Sequence, residues 1–187
     1  MQTAASPPLS RATGLTLTDL IIALAILMIL ISLGIPSFRT MTAKNQQTSE
    51  INSFVRHFYL ARSLAISSER HQVLCPSSDG EICQDNSDWS QGFILFEDTN
   101  ENRTRDEGEP LQGYNRPAEL IKIGIHSTAG RKRVVYQGDG RPSGYNLTLT
   151  FCDPDHLVPP RAVIVNNMGR TRVADTRSDG SSLNCSG

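Results

Sequence analysis

Residues 20–35 read LIIALAILMILISLGI, sixteen positions without a charge. As a helix rising ~1.5 Å per residue this run spans ~24 Å, slightly short of the ~30 Å hydrocarbon core of a bilayer. Leu15 and Leu17 extend it, with Asp19 as an interruption, and Pro36 follows. Residues 37–69 hold no Gly or Pro. There Ile51, Phe54, Val55, Phe58, Ala61, Arg62 and Ala65 recur at i, i+3, i+4, i+7 spacing. That period predicts an amphipathic helix continuing the apolar one, with only Arg62 disturbing its inner stripe. After His71 the pattern changes to short β-rich runs: Gln72–Cys75, Gly92–Glu97, Glu119–Ile125, Arg133–Gln137, Leu147–Phe151 and Arg161–Val165. Leu147–Phe151 alternates with period two, as a half-buried antiparallel strand does. Clusters of Gly, Pro, Asn and Asp separate the runs. Trp89, beside the start of one run, is expected in the core. A long helix followed by strands predicts an α+β fold.

The 187 residues suit one globular domain plus the apolar run. The chain carries 18 Lys and Arg against 19 Asp and Glu, which excludes a histone-like basic protein. Its 38% hydrophobic content excludes a multispan membrane protein and wholesale disorder. The net charge of −1 hides an uneven distribution: +2 over residues 1–49, −7 over 50–109 and +4 over 110–187. Local charge is therefore the better guide to partners.

The apolar run does not fit a secretory signal. Arg11 lies nine residues upstream of Leu20 and no A-x-A site follows Ile35. A carboxylate such as Asp19 inside an apolar segment is costly and marks a function. The residues from Gly14 onward, GLTLTDLIIALAILMILISLGIP, resemble the N-terminus of type IV pilins. That resemblance implies a leader, 1–14, cut by a prepilin peptidase between Gly14 and Leu15, with N-methylation of Leu15. It implies that Asp19 meets the N-terminal amine of a neighbouring subunit, which would compensate a charge in lipid. Two positions depart from the usual pattern: Leu15 stands where Phe or Met is common, and Asp19 replaces Glu. Pro36 sits where the family often kinks its helix. The implied organisation is a transmembrane or filament-core helix over 15–36, an amphipathic half over 37–69, and a β-rich domain over 70–187. The implied setting is the bacterial inner membrane with that domain in the periplasm, then an extracellular pilus, at or near its tip.

All four cysteines lie beyond residue 70. Four cysteines allow three connectivities. Cys75–Cys83 with Cys152–Cys185 is the favoured one, since one pair is local and the other ties down the C-terminal tail. A zinc site lacks the C-x₂-C or His spacing it needs, and an oxidising compartment suits disulfides.

The domain also resembles the GspH/FimT-type minor pilins and pseudopilins. The residues that carry this are Ala61–Ile66 (ARSLAI), Val73–Asp79 (VLCPSSD), Trp89–Asp98 (WSQGFILFED), Asn100–Asn102, Asp106–Glu109 and Gly169-Arg-Thr-Arg172. The last motif, G-R-x-R, resembles the DNA-binding tail of the FimT branch. It implies a minor pilin that binds double-stranded DNA without sequence preference in natural transformation, with other major and minor pilins as partners. In an extended segment, Arg170 and Arg172 point the same way ~6.5–7 Å apart, close to the phosphate spacing of a nucleic-acid strand. Gly169 lets the backbone turn. Arg161, Arg177 and the run Arg131, Lys132, Arg133 extend the patch if the fold brings them near. Two other readings stay open: an assembly-only subunit that primes or caps the filament, and a GspH-like pseudopilin of type II secretion.

Asp98, Asn100, Asn102, Thr104, Asp106 and Glu109 match positions 1, 3, 5, 7, 9 and 12 of a calcium-binding loop. Arg103 occupies the position that calls for Gly, and no helix pattern flanks the segment. The alternative is an acidic hairpin loop between Phe96 and Leu111. Nothing points to an enzyme or a cofactor. His57, His71, His126 and His156 are scattered, and G-x-S-x-G, H-E-x-x-H and the P-loop pattern are lacking.

Overall fold

A computed structural model describes residue 14 and residues 16–116, 123–128, 130–144 and 146–185. The chain divides into two compact units, Met1–Arg39 and Thr40–Gly187. Helix α1 (Leu17–Ser68) is continuous through Pro36. Its start is fixed by a reciprocal cap. The Thr16 backbone N–H and hydroxyl both donate to Asp19 Oδ2, at 3.0 and 2.8 Å, and the Asp19 N–H donates to Thr16 Oγ1 at 3.3 Å. In the first unit every described residue is exposed, including Leu20, Ile21, Ile22, Leu24 and Ile26. This stretch is long and apolar enough to cross a membrane.

Among its described residues the second unit holds eight strands: β1 (His71–Pro76), β2 (Phe93–Asp98), β3 (Leu111–Asn115), β4 (Gly124–Ser127), β5 (Val134–Tyr136), β6 (Leu147–Cys152), β7 (Arg161–Val165) and β8 (Thr171–Ala174). They form two antiparallel four-stranded sheets, ordered β3-β2-β1-β5 and β4-β6-β7-β8. The expected α+β class therefore takes the form of one helix on two sheets. Of the run expected at 119–125, Gly124 and Ile125 lie in β4. Residues 117–122 lie outside the described residues. Strands β3 and β8 were not expected. Each is an edge strand, and each carries polar or small residues where a central strand would be apolar.

One core joins the helix to both sheets. Ile51, Phe54, Phe58, Ala61 and Ala65 meet Leu74, Phe93, Leu95 and Tyr136 from the first sheet, and Leu147, Leu149, Phe151, Val163 and Val165 from the second. Trp89 is fully buried here, as its position beside β2 suggested. Polar side chains on the stripe have partners. Gln47 donates to the carbonyls of Phe151 and Pro159 at 3.2 and 3.0 Å, pinning the helix to the β6 end. His57 donates from Nδ1 to the Ser53 carbonyl at 2.8 Å and stands edge-on to Phe93. A Cβ on Gly113 of β3 would lie 3.2 Å from the His57 ring, so this edge strand meets the helix through a glycine.

The outer face of each sheet has its own apolar strip, covered by a loop held by a disulfide. Val73, Cys75, Ile94, Phe96 and Val135 pack with Cys83, and Cys75 bonds Cys83. Ala162 and Ile164 pack with Leu183 and Ala174, and Cys152 bonds Cys185. The bridges close loops of 8 and 33 residues; closing such loops removes about 2–4 kcal/mol of unfolded-chain freedom each.

Burial disfavours the charged His57 ring, and nearby Arg56 adds to that, while the Ser53 carbonyl opposes it; the net shift is downward from 6.5. Below ~6.5 the unfolded chain then binds the proton more readily than the fold does. The stability this residue contributes is present above ~6.5 and is lost as pH falls through the depressed folded value. The melting temperature is expected to drop between pH 7.5 and 5. His57→Gln, which does not titrate, is expected to flatten that part of the profile. An unchanged slope in the variant would remove His57 as its source.

Candidate functional site

The predicted arginine motif lies on the β7–β8 hairpin. Val165 pairs with Thr171, and Ile164 with Arg172. Between them, Asn166 to Arg170 form a tight turn. The Gly169 N–H donates to the Asn166 carbonyl at 2.9 Å, and the Asn166 N–H to the Arg170 carbonyl at 3.0 Å. Asn166 Oδ1 also accepts from the Met168 and Arg170 N–H groups, at 3.0 and 2.9 Å. Gly169 adopts φ +74°, the left-handed position that closes a three-residue hairpin loop with a bulge. A Cβ there would stand 2.7 Å from the Gly140 carbonyl oxygen. Glycine is thus required both by the turn and by close approach of the 137–142 segment.

This turn sets the arginines. Arg172 is exposed opposite Ile164, and strand alternation puts it on the outer face with Ala162, Ile164 and Ala174. Arg170, also exposed, stands one alternation earlier. Among the described residues, no carboxylate forms an ion pair with either of them.

The other predicted members of the patch are placed differently. Arg161 is at the far end of the hairpin, ~17 Å along the strand from the turn, and its Nε faces Asp175 Oδ1 at 3.2 Å. Arg177 is exposed in the turn that follows β8, closed by its N–H to the Ser181 carbonyl at 2.9 Å. Lys132 Nζ and Arg133 Nη2 share Asp85, at 2.8 and 3.3 Å. Arg131 and Arg133 line a shallow cleft with Pro142 and Val165, beside the hairpin turn. The fold therefore brings the 131–133 run near the tip but spends two of its three charges on Asp85, and it leaves Arg161 and Arg177 at the other end.

The acidic segment 98–109 is a loop between paired strands, Phe96 facing Leu111. Its carboxylates fold the loop. Asp98 accepts the N–H groups of Asn102 and Arg103 at 3.1 and 2.9 Å. Glu109 accepts the Thr99 N–H and hydroxyl at 2.7 and 3.0 Å, and the Asp106 N–H at 3.0 Å. Asn100 and Asn102 both donate to Asp106, at 2.8 and 2.6 Å. Thr104 gives its N–H to Asn102 at 2.7 Å. Arg103 takes φ +65°, the conformation for which a calcium loop uses Gly. Among the described residues no three His, Cys, Asp or Glu side chains are placed to hold a metal ion.

At the other end, Gly14 is exposed. Leu15 and the leader before Gly14 lie outside the described residues. Within the chain Asp19 is the partner of Thr16, in a T-x-x-D cap that the sequence contains. A second unanticipated residue is Tyr59. Its hydroxyl donates to the carbonyl of Thr171, between the two arginines, at 3.4 Å. It lies one position beyond Phe58 in the helix, outside the predicted stripe.

Residues 50–169 match the family described as type II transport protein GspH. No curated protein matches the chain. Among solved structures, the type IV minor pilin FimU of Pseudomonas aeruginosa PAO1 is similar with a TM-score of 0.52 and 15% identity, covering 71% of this chain and 91% of FimU. The minor pseudopilin EpsH from the type 2 secretion system of Vibrio cholerae is similar with a TM-score of 0.47 and 11% identity, covering 69% of this chain and 95% of EpsH. The FimU likeness establishes the type IV pilin fold. The family match runs from the packed half of α1 through β7 to the glycine of the hairpin turn, well over half of the 187 residues. The chain therefore belongs to the GspH family, and it is a minor pilin or pseudopilin.

Proposed function

We propose that this subunit is built into a type IV pilus and binds extracellular DNA without sequence preference, through Arg170 and Arg172, in natural transformation. The observation that carries the reading is the contrast in pairing. Lys132, Arg133, Arg141 and Arg161 each face a carboxylate, while the two hairpin arginines stand exposed on a rigid turn. Guanidinium groups so placed suit phosphate oxygens, which fix position but carry no base identity. In this reading prepilin peptidase removes the leader after Gly14, Leu15 is N-methylated, and Asp19 exchanges its Thr16 contact for the amine of a neighbouring pilin. The globular domain faces the periplasm from the inner membrane before assembly, and the tip of the pilus afterwards.

A second reading is that of a type II secretion pseudopilin whose partners are other pseudopilins. The family description favours it. DNA binding separates the two, because such a subunit has no need of it.

The full chain in nonionic detergent is expected to bind duplex DNA weakly. Two phosphate contacts give a salt slope near −1.8, about a tenfold loss between 50 and 200 mM salt. Arg170→Gln combined with Arg172→Gln is expected to abolish that binding and its salt dependence. Binding that survives the double substitution at low salt would exclude these residues.

Presentation of the motif depends on its turn. Gly169→Ala forces a side chain into the left-handed region and against the Gly140 carbonyl. It is expected to destabilise the domain by about 1–3 kcal/mol, read as a lower melting temperature. It should also weaken DNA binding at temperatures where the fold is intact. A melting curve like that of the parent chain would show that the turn tolerates a side chain.

A further inference from the structure

We propose that Met168, at the tip of the arginine hairpin, is an apolar wedge that enters duplex DNA where the base stack is already interrupted, so that the site prefers a duplex with a hole in its stack over an intact one. The inference rests on the DNA-binding reading and extends it to a class of ligand.

The turn that carries Met168 is closed from within. Its four successive N–H groups all have acceptors inside the domain. Asn167 donates to Asn146 Oδ1 at 3.1 Å. Met168 and Arg170 donate to Asn166 Oδ1 at 3.0 and 2.9 Å, and Gly169 to the Asn166 carbonyl at 2.9 Å. Gly169 is itself buried, close to the Gly140 carbonyl. The tip therefore does not offer a phosphate the open N–H groups of an anion-binding nest. It presents side chains instead: Asn167, Met168 and Arg170, all exposed.

Met168 does not serve the fold. Turns are built mainly from Gly, Pro, Asn, Asp and Ser, each for a local backbone reason that does not apply to methionine. Its side chain is 61% exposed, and the apolar clusters of the described residues do not include it. Beyond it, Arg170 and Arg172 follow at every second position of one strand. Methionine is among the apolar side chains that DNA-bending proteins insert between base steps, beside Arg and Asn in the groove.

Magnitudes decide which duplex such a wedge can enter. Unstacking an intact step costs at least as much as burying one methionine side chain returns. A step that already lacks a base carries no such cost, and the neighbouring base faces then cover the side chain on both sides. An unbranched, flexible thioether also adapts to an irregular gap. Met168 thus adds affinity only where the stack is open, while Arg170 and Arg172 hold either duplex by its phosphates.

The test compares two duplexes of the same sequence and length, one intact and one with a single tetrahydrofuran abasic residue at its centre, bound to the full chain in nonionic detergent. Both carry the same number of phosphates. The parent is expected to bind the abasic duplex about fivefold more tightly, which is what burying the exposed part of one methionine side chain supplies. Met168→Ser is expected to bind both duplexes equally, with the parent's affinity for the intact one and the parent's salt slope, because the phosphate contacts remain. Met168→Leu keeps an apolar tip and is expected to keep the preference. The melting temperature of each variant is the folding control. A parent that binds the two duplexes equally, as it would if the tip docks on a protein or a bilayer instead, overturns the wedge. So does a Met168→Ser variant that keeps the preference or weakens both duplexes alike. In each of these cases, binding of the intact duplex by the parent leaves the arginine reading standing. A parent chain that binds neither duplex overturns both.

Discussion

Phe54 occupies the point at which the helix and both sheets meet, and its contacts set the register of everything built around them. Its ring lies 4.4 Å from that of Phe93 in the first sheet and 5.4 Å from Phe151 in the second, with Trp89 and Phe58 at 6.0 and 6.2 Å. Aromatic pairs at these separations contribute beyond the area they bury. They also leave little freedom for the helix to slide or rotate. Once Phe54 is placed, His57 falls against Gly113 of the edge strand β3 and Tyr59 against Thr171 of the edge strand β8. These two strands, one from each sheet, are thus located by opposite flanks of the same two helical turns. Committing both inner faces to the helix leaves two outer apolar strips. A domain of this size has no further layer to cover them, so loops do it, and the disulfides hold the loops.

The same division explains the charge. The acidic half of the sequence is concentrated in loops that cover or extend the first sheet, where carboxylates replace missing secondary structure. Asp98, Glu109 and Asp79 each accept backbone N–H groups. Those at Asp79 and a hydroxyl from Ser77 hold its carboxyl below the usual range. These charges are consumed locally. On the second sheet the hairpin needs no carboxylate to close, because Asn166 and Gly169 supply the turn. Its arginines therefore remain available, although the chain as a whole is slightly acidic.

How much of this could be read in advance follows from which residues are buried on two sides. The central strands β1, β2, β6 and β7 are apolar throughout or alternate cleanly, and they stood out. Of the edge strands, β4 and β5 fell in expected runs, and β3 and β8 did not. Leu111-Gln-Gly-Tyr-Asn115 carries its glycine to clear His57, and Thr171-Arg-Val-Ala174 puts an arginine on the outer face. Neither has the apolar density of a strand, because one edge of each lacks a neighbour. The disulfide partners were legible because one pair is close in sequence and the other joins the chain end. Of the candidate patch, the pair Arg170 and Arg172 was legible from its spacing. The separation of Arg161 and Arg177 from it was not, since that depends on the length of the hairpin. The neutralisation of Lys132 and Arg133 by Asp85 is a contact across 47 and 48 residues, which no local pattern encodes. Tyr59 was hidden for the same reason, its partner lying 112 residues away.

The placement of the arginines on a hairpin, instead of a free tail, bears on what so few charges can achieve. Two or three phosphate contacts give little affinity, and a mobile segment would lose part of it in becoming ordered. Here that cost is met during folding. Asn166 Oδ1 holds two backbone N–H groups, Gly169 is seated on Gly140, and beyond β8 the tail is fixed by Leu183 and the Cys152–Cys185 bridge. Only the arginine side chains themselves remain to be ordered by a ligand. A small, preorganised contact of this kind is weak alone and readily released. In the proposed reading, such a contact suits a subunit of a filament that captures a long polymer at one point and later lets it go.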